Sequence, residues 1–197
     1  MRAAARLAAA LALPALLLAG CEAMPGGAPE AGPAPGPLPP AALAALLPMD
    51  AAGFQRGQTL PLAHGEPGQE VAYATRGLPA AAATVQIRAP SGDPVPDGPD
   101  SPAAATAFNR LVQEALRPEP QRRLREVARF VLPETAPALR CAETEGRYGR
   151  ERVRGLVCAG GLRGNVVSLR LATPQSEPPP ADPRAFAAAI ATALRRP

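Results

Sequence analysis

Two cysteines, Cys141 and Cys158, stand at equal distances from the dipeptide Gly149-Arg150, and this symmetry constrains the fold more than any other feature of the chain. A Gly-X pair makes a two-residue hairpin turn, because glycine at the first central position supplies a positive φ. Folding about that turn pairs Tyr148 with Glu151, and the same count carried outward sets Cys141 opposite Cys158. Hydrogen-bonded and non-hydrogen-bonded pairs alternate along an antiparallel ladder. The cysteines fall in a non-hydrogen-bonded site, where opposing residues lie closest, so a disulfide is expected. The same register puts Glu145 opposite Arg154, and on the other face Val153 and Val157 opposite Gly146 and Ala142. Glu143, Glu145, Arg152 and Arg154 share the cysteine face, which predicts a bridge near the surface.

A second hairpin follows. Read as a three-residue loop, Leu162-Arg163-Gly164 puts glycine where a left-handed conformation is required. It pairs Gly155 with Leu171, Val157 with Leu169 and Ala159 with Val167, extending one apolar face across three strands.

Upstream, Gln58 to Ala63 and Glu70 to Thr75 read as short strands around the turn-rich His64-Gly65-Glu66-Pro67-Gly68, and Thr84 to Arg88 alternates as a third. A loop rich in Pro, Asp and Gly, residues 90 to 100, leads into a helix. Ser101 is its N-cap, Pro102 its first residue, and Phe108, Leu111, Val112 and Ala115 recur at helical spacing until Pro118 stops it. Arg125 to Leu132 reads as a strand, with Ala128, Phe130 and Leu132 alternating against Val127, Arg129 and Val131. A last helix, Pro183 to Arg196, is capped by Asp182 and has Phe186, Ile190 and Leu194 as its inner stripe. The fold class is therefore α+β: an antiparallel sheet of five to seven strands with two helices on one face. The strand Ala83-Thr84-Val85-Gln86-Ile87, followed by Pro96-Asp97-Gly98-Pro99-Asp100-Ser101 and a helix, resembles small uncharacterised envelope proteins of proteobacteria over residues 54 to 117. That resemblance implies no activity.

The N-terminal region is of another kind. Arg2 and Arg6 precede an apolar run from Leu7 to Ala19, shorter than the ~20 residues a spanning helix needs. A basic start, a short apolar middle and small residues at its end describe a secretory signal peptide. Leu18-Ala19-Gly20-Cys21 resembles the lipobox of bacterial lipoproteins. The resemblance implies cleavage before Cys21, acylation of its sulfur and a membrane partner reached through that lipid. Glu22 stands where, in some enteric bacteria, aspartate resembles an inner-membrane retention signal, which favours the outer membrane here. Seven prolines (Pro25, Pro29, Pro33, Pro35, Pro37, Pro39, Pro40) and four glycines (Gly26, Gly27, Gly32, Gly36) follow. Such a stretch buries too little apolar surface to offset its ordering entropy, and extended it reaches about 60 Å. The expected organisation is a signal peptide at 1–20, an acylated tether at 21–49 and one periplasmic domain at 50–197. Ala41 to Leu47 is either one or two helical turns or more tether.

Loss of residues 1–20 takes two arginines from 21 and leaves 19 against 17 acids, a net charge of about +2. Lysine is absent, so arginine must supply every solvated cation. This composition fits the coding bias of a GC-rich genome better than selection for nucleic acid, and no nucleic-acid partner is expected.

Little chemistry is legible. The single histidine, His64, sits in a turn without a G-x-S-x-G motif or a placed partner, so a solvated residue is expected rather than a catalytic base. One histidine and two bridged cysteines leave too few ligands for zinc. The cysteines are not a C-x-x-C, which favours a structural bridge over a redox pair. Asp93, Asp97 and Asp100 lack the alternate spacing of a calcium loop. Gly160-Gly161 with Gly164 precedes a strand rather than a helix, so it is no phosphate cradle. No cofactor is expected.

Arginine is the remaining signal. Arg147, Arg150 and Arg152 crowd the first hairpin tip beside Tyr148, and Arg122, Arg123, Arg125 and Arg129 line a second stretch. These are candidates for phospholipid headgroups, a cell-wall polymer or an acidic envelope protein. The expected function is a non-enzymatic binding or scaffolding lipoprotein of the cell envelope. The alternatives are an auxiliary subunit of an envelope transport or assembly complex, and then a periplasmic enzyme.

Overall fold

The computed structural model describes residues 36–196. The expected signal peptide, Cys21 and the expected tether up to residue 35 lie outside the described residues.

Eight strands form one antiparallel sheet in the order β1-β2-β3-β4-β8-β7-β6-β5. They are β1 (Asp50–Ala51), β2 (Phe54–Pro61), β3 (Gly68–Thr75), β4 (Ala82–Arg88), β5 (Arg122–Leu132), β6 (Leu139–Tyr148), β7 (Glu151–Leu162) and β8 (Asn165–Pro174). Two meanders thus meet at the β4–β8 seam. The class is the α+β expected, but the sheet exceeds five to seven strands. The additional strand, β1, folds back onto β2 through Ala52 and Gly53, both at positive φ. Its two residues are too few to show a period.

Among the described residues three helices cover the sheet: α1 (Pro40–Ala45), α2 (Pro102–Leu116) and α3 (Pro183–Arg195). The caps form as the sequence dictates. Ser101 Oγ accepts from the Ala104 amide, and Asp182 Oδ1 from those of Arg184 and Ala185. The helices do not share a face. α1 and α3 bury Leu43, Leu47, Phe186, Ile190 and Leu194 against Val71, Val85, Leu156 and Leu169. On the opposite face, α2 buries Phe108, Leu111 and Val112 against Ala142, Val157 and Val166. The reason lies in β7. Gly155 to Leu162 contains no polar side chain and is buried throughout, and a strand without alternation needs cover on both faces. Few as the aromatics are, Phe186 meets Phe54 at 4.7 Å and Tyr73 at 5.0 Å between ring centroids.

The first hairpin has the expected register: Tyr148 pairs with Glu151, and Cys141 with Cys158. The disulfide is formed, with the Cα atoms 4.1 Å apart, close to the ~4.5 Å of a non-hydrogen-bonded pair. It is not near the surface. Both cysteines have 0% exposure within the α3-covered core. α3 begins over Glu143, where Arg184 Nε donates to the carboxylate at 2.7 Å. Only beyond that point does the face become polar, so Glu145, Arg152 and Arg154 are no guide to Cys141.

The second hairpin is tighter than a three-residue loop. Leu162 pairs with Asn165 across Arg163-Gly164, whose φ values of 51° and 81° match a two-residue type I′ turn. Leu169 therefore opposes Cys158, not Val157; Val167 opposes Gly160 and Leu171 opposes Leu156. A one-residue slip moves a whole strand's side chains to the other face, so β8 sends its leucines into the disulfide core. Arg163 is held in its left-handed conformation from several sides. Its amide donates to Asp97 Oδ1 at 2.7 Å, its Nε to the Gly36 carbonyl at 2.8 Å and its Nη1 to the Arg196 carbonyl at 2.9 Å.

The folded unit also begins earlier than residue 50. Leu43, Ala44 and Leu47 are core residues, Leu38 packs against them, and the Leu38 amide donates to the Arg163 carbonyl. Of the two readings of Ala41 to Leu47, the helical one describes the fold.

Candidate functional site: the arginine end of the sheet

Strand pairing joins arginines that the sequence holds in two separate stretches. β5 and β6 pair Arg123 with Arg147 and Arg125 with Glu145; β6 and β7 pair Arg147 with Arg152 and Glu145 with Arg154. Residues directly opposite on neighbouring strands lie on one face, with Cβ atoms about 4.5–5.5 Å apart. Two rows result, on the cysteine face and beyond the start of α3. The inner row is Arg125, Glu145 and Arg154, with the carboxylate taking Arg125 at 3.3 Å and Arg154 at 3.6 Å. The outer row is Arg123, Arg147 and Arg152, with no acid in it, and none of the three makes an ion pair among the described residues. All five arginines are exposed, as are Tyr148 and Arg150 at the turn.

Alternation sends Arg122 to the opposite face, and the register shift between Glu126 and Ala128 sends Arg129 there too. Arg129 forks onto Glu126, holding that carboxyl below its usual range, and its guanidinium lies 5.6 Å from the Phe108 ring centre. It is a packing residue. Arg122 donates to the Glu114 carbonyl and to Glu119, while its Nε is buried without a partner.

Arg122 lines a cleft of about 320 Å³ where the sheet runs past the C-terminal end of α2. Leu111 and Ala115 form its helix side, and Leu124, Val157 and Ala172 its floor. Gly155 keeps the floor deep: a Cβ there would meet Thr144 Oγ1 at 2.4 Å. Composition alone had no means of revealing this cleft, because its walls come from five elements. On the disulfide face a broader cleft of about 860 Å³ runs between the loop after β8 and the start of α3. Within it Glu143 pairs with Arg184, raising the pKa of that guanidinium, and Asp182 caps α3. Thr173 Oγ1 is buried beside it without a partner.

The remaining candidates have structural positions. His64 sits at the centre of a short 3-10 turn, Ala63–Gly65, is exposed and lines neither cleft. Asp97 holds the Arg163 turn, and Asp100 pairs with Arg140 at 2.6 Å. Asp93 is exposed. No group of three or more His, Cys, Asp or Glu residues among the described residues is placed to hold a metal ion. Gly161 admits the strap over β7, where a Cβ would meet the Pro96 carbonyl at 2.0 Å. Among the described residues no helix is long and apolar enough to cross a membrane. No protein-family model, curated protein or solved structure matches the chain.

Proposed function

We propose that the chain is a non-enzymatic binding module of the bacterial cell envelope, acylated at Cys21 and more at home on the outer than the inner membrane. Its folded unit grips an anionic envelope surface, headgroup or polymer, with the arginine end of the sheet.

The row Arg123, Arg147 and Arg152 carries this reading. Like charges directly opposite on a sheet are destabilising. β5 is an edge strand, and charge there discourages edge-to-edge pairing. Arg147 and Arg152 stand on interior strands, where no such protection is needed. An anion bound across the row would turn the mutual repulsion into attraction. The buried disulfide suits an oxidising compartment, and the lipobox supplies the tether.

Fractionation tests the anchor. Cys21→Ser should abolish acyl labelling and release the protein from membranes; retained labelling defeats the lipoprotein reading. Sedimentation with phosphatidylglycerol vesicles or a soluble polyanion tests the surface. Binding should fall with salt and be lost when Arg123, Arg147 and Arg152 all become glutamine. Undiminished binding by that triple variant would remove the arginine row from the function.

A second reading, an auxiliary subunit of an envelope transport or assembly complex, is favoured by the apolar cleft beside α2.

A further inference from the structure

We infer that the cleft between the C-terminal end of α2 and strands β5 to β8 binds a small amphipathic anion: one aliphatic body carrying a single carboxylate. The inference goes beyond the envelope-surface role, concerns the opposite face of the sheet and holds whether or not the chain is anchored.

Shape and size come first. At about 320 Å³ the cleft sits at the lower end of the range of small-molecule sites, ~300–1,000 Å³, so it takes one chain and not a two-chain lipid. Its body is aliphatic: Leu111 and Ala115 on one side, Leu124, Val157 and Ala172 on the other. The sheet pairs Gly155 with both Thr144 and Ala172, so the trough continues across the strands where larger side chains would fill it. Apolar surface of this kind, left open to water, is stabilised when a hydrocarbon covers it.

Charge selects the head. Arg122 and Arg170, on the α2 face of the sheet, line the cleft, and no carboxylate does. Their acidic partners, Glu119 and Glu114, stand outside the lining. Arg122 adds the most pointed observation, a buried Nε–H with no acceptor. A buried donor left unpaired destabilises the fold, and a carboxylate oxygen entering beside Arg122 would relieve that cost. The ligand is thus anionic at the Arg122 end and apolar along the α2 side.

The test uses the full chain carrying Cys21→Ser, titrated calorimetrically with dodecanoate, 1-dodecanol and acetate. The expected result is saturable one-to-one binding of dodecanoate, weaker binding of the alcohol and none of acetate. Ala172→Trp, at an exposed strand position, should block the trough and weaken dodecanoate at least roughly tenfold. Arg122→Gln should remove the preference for carboxylate over alcohol. Arg170→Gln, further from the folded interior, serves the same purpose should Arg122→Gln not fold, which circular dichroism reports. No saturable dodecanoate binding, binding indifferent to Ala172→Trp, or an alcohol bound as tightly as the acid would each overturn the inference. The phosphatidylglycerol assay reads the other face, so either idea can fail alone.

Discussion

Arg147 lies directly opposite Arg152 on adjacent strands, on the face where Glu145, two residues inward, is already shared between Arg125 and Arg154. The pair is therefore a cost to the folded state, of the order of a few tenths of a kcal/mol. Arg147→Gln should leave the melting temperature unchanged or raise it slightly at low salt, with the gain fading as salt screens the repulsion. The same substitution should weaken binding to anionic vesicles. Calorimetric melts at two ionic strengths, set beside a sedimentation assay, check both halves. A clear drop in stability would mean that Arg147 supports the fold instead of a partner.

The Cys141–Cys158 bridge, at 0% exposure for both residues, sits among Leu139, Leu156, Leu169 and Phe130. It closes a loop of 17 residues, for which chain entropy gives about 3 kcal/mol. Replacing both cysteines by alanine should cost roughly that much while the two four-stranded meanders still form. Cys141→Ser should cost more than Cys141→Ala, because it places an unpaired hydroxyl in an apolar core. Chemical denaturation of the three proteins orders them. Equal midpoints for the serine and alanine variants would place the site in contact with water.

Arg163 binds the two ends of the folded unit together, donating to the carbonyls of Gly36 and Arg196. Hydrogen bonds from a charged donor contribute about 1.5–3 kcal/mol. Arg163→Ala should therefore destabilise by about 3 kcal/mol, two such bonds at the lower end of that range, since alanine meets the same strain at φ 51°. Deleting residues 36 to 40 should act in the same direction, since it removes Leu38 from the core and its carbonyl from Asn165. A deletion of residues 25 to 40 should be at least as costly, because it removes the same five residues. Thermal melts of the two deletions separate docked chain from linker.

How far the sequence reaches is best judged on β7. Its cysteine and its turn set the register with β6, because a pairing count depends only on where the turn is. Its freedom from polar residues also meant burial on both faces, yet the polar neighbours Arg152 and Arg154 pointed toward a surface bridge. The difference is positional: α3 begins over Glu143, and nothing local to β7 says where a later helix will start. The Arg163-Gly164 turn failed differently. An arginine at positive φ is unfavourable by itself and becomes acceptable only through Asp97, Gly36 and Arg196, all remote in sequence. The arginine end has the same character. Two basic stretches were visible, but that Arg123 and Arg125 join Arg147 and Arg152 while Arg122 and Arg129 leave them follows from the β5–β6 register.

Tyr73 provides a pH test of the core. It is 2% exposed, its hydroxyl donates to the Pro48 carbonyl at 2.7 Å, and burial pushes its pKa from 10.0 up to about 12, with Arg56 opposing. Between pH 10 and 12 the unfolded chain has released this proton while the folded chain still holds it. The unfolded state then binds fewer protons, so stability falls as pH rises through that window. Lysine, which would ordinarily titrate there, is absent from the chain, leaving the slope unusually easy to assign. Tyr73→Phe should cost about 1 kcal/mol at neutral pH through the lost hydrogen bond and flatten the decline above pH 10. Urea midpoints for both proteins at pH 8, 10 and 11.5 measure it. Parallel declines would show that the phenol stays protonated in neither state, and that the contact with Pro48 does not shield it.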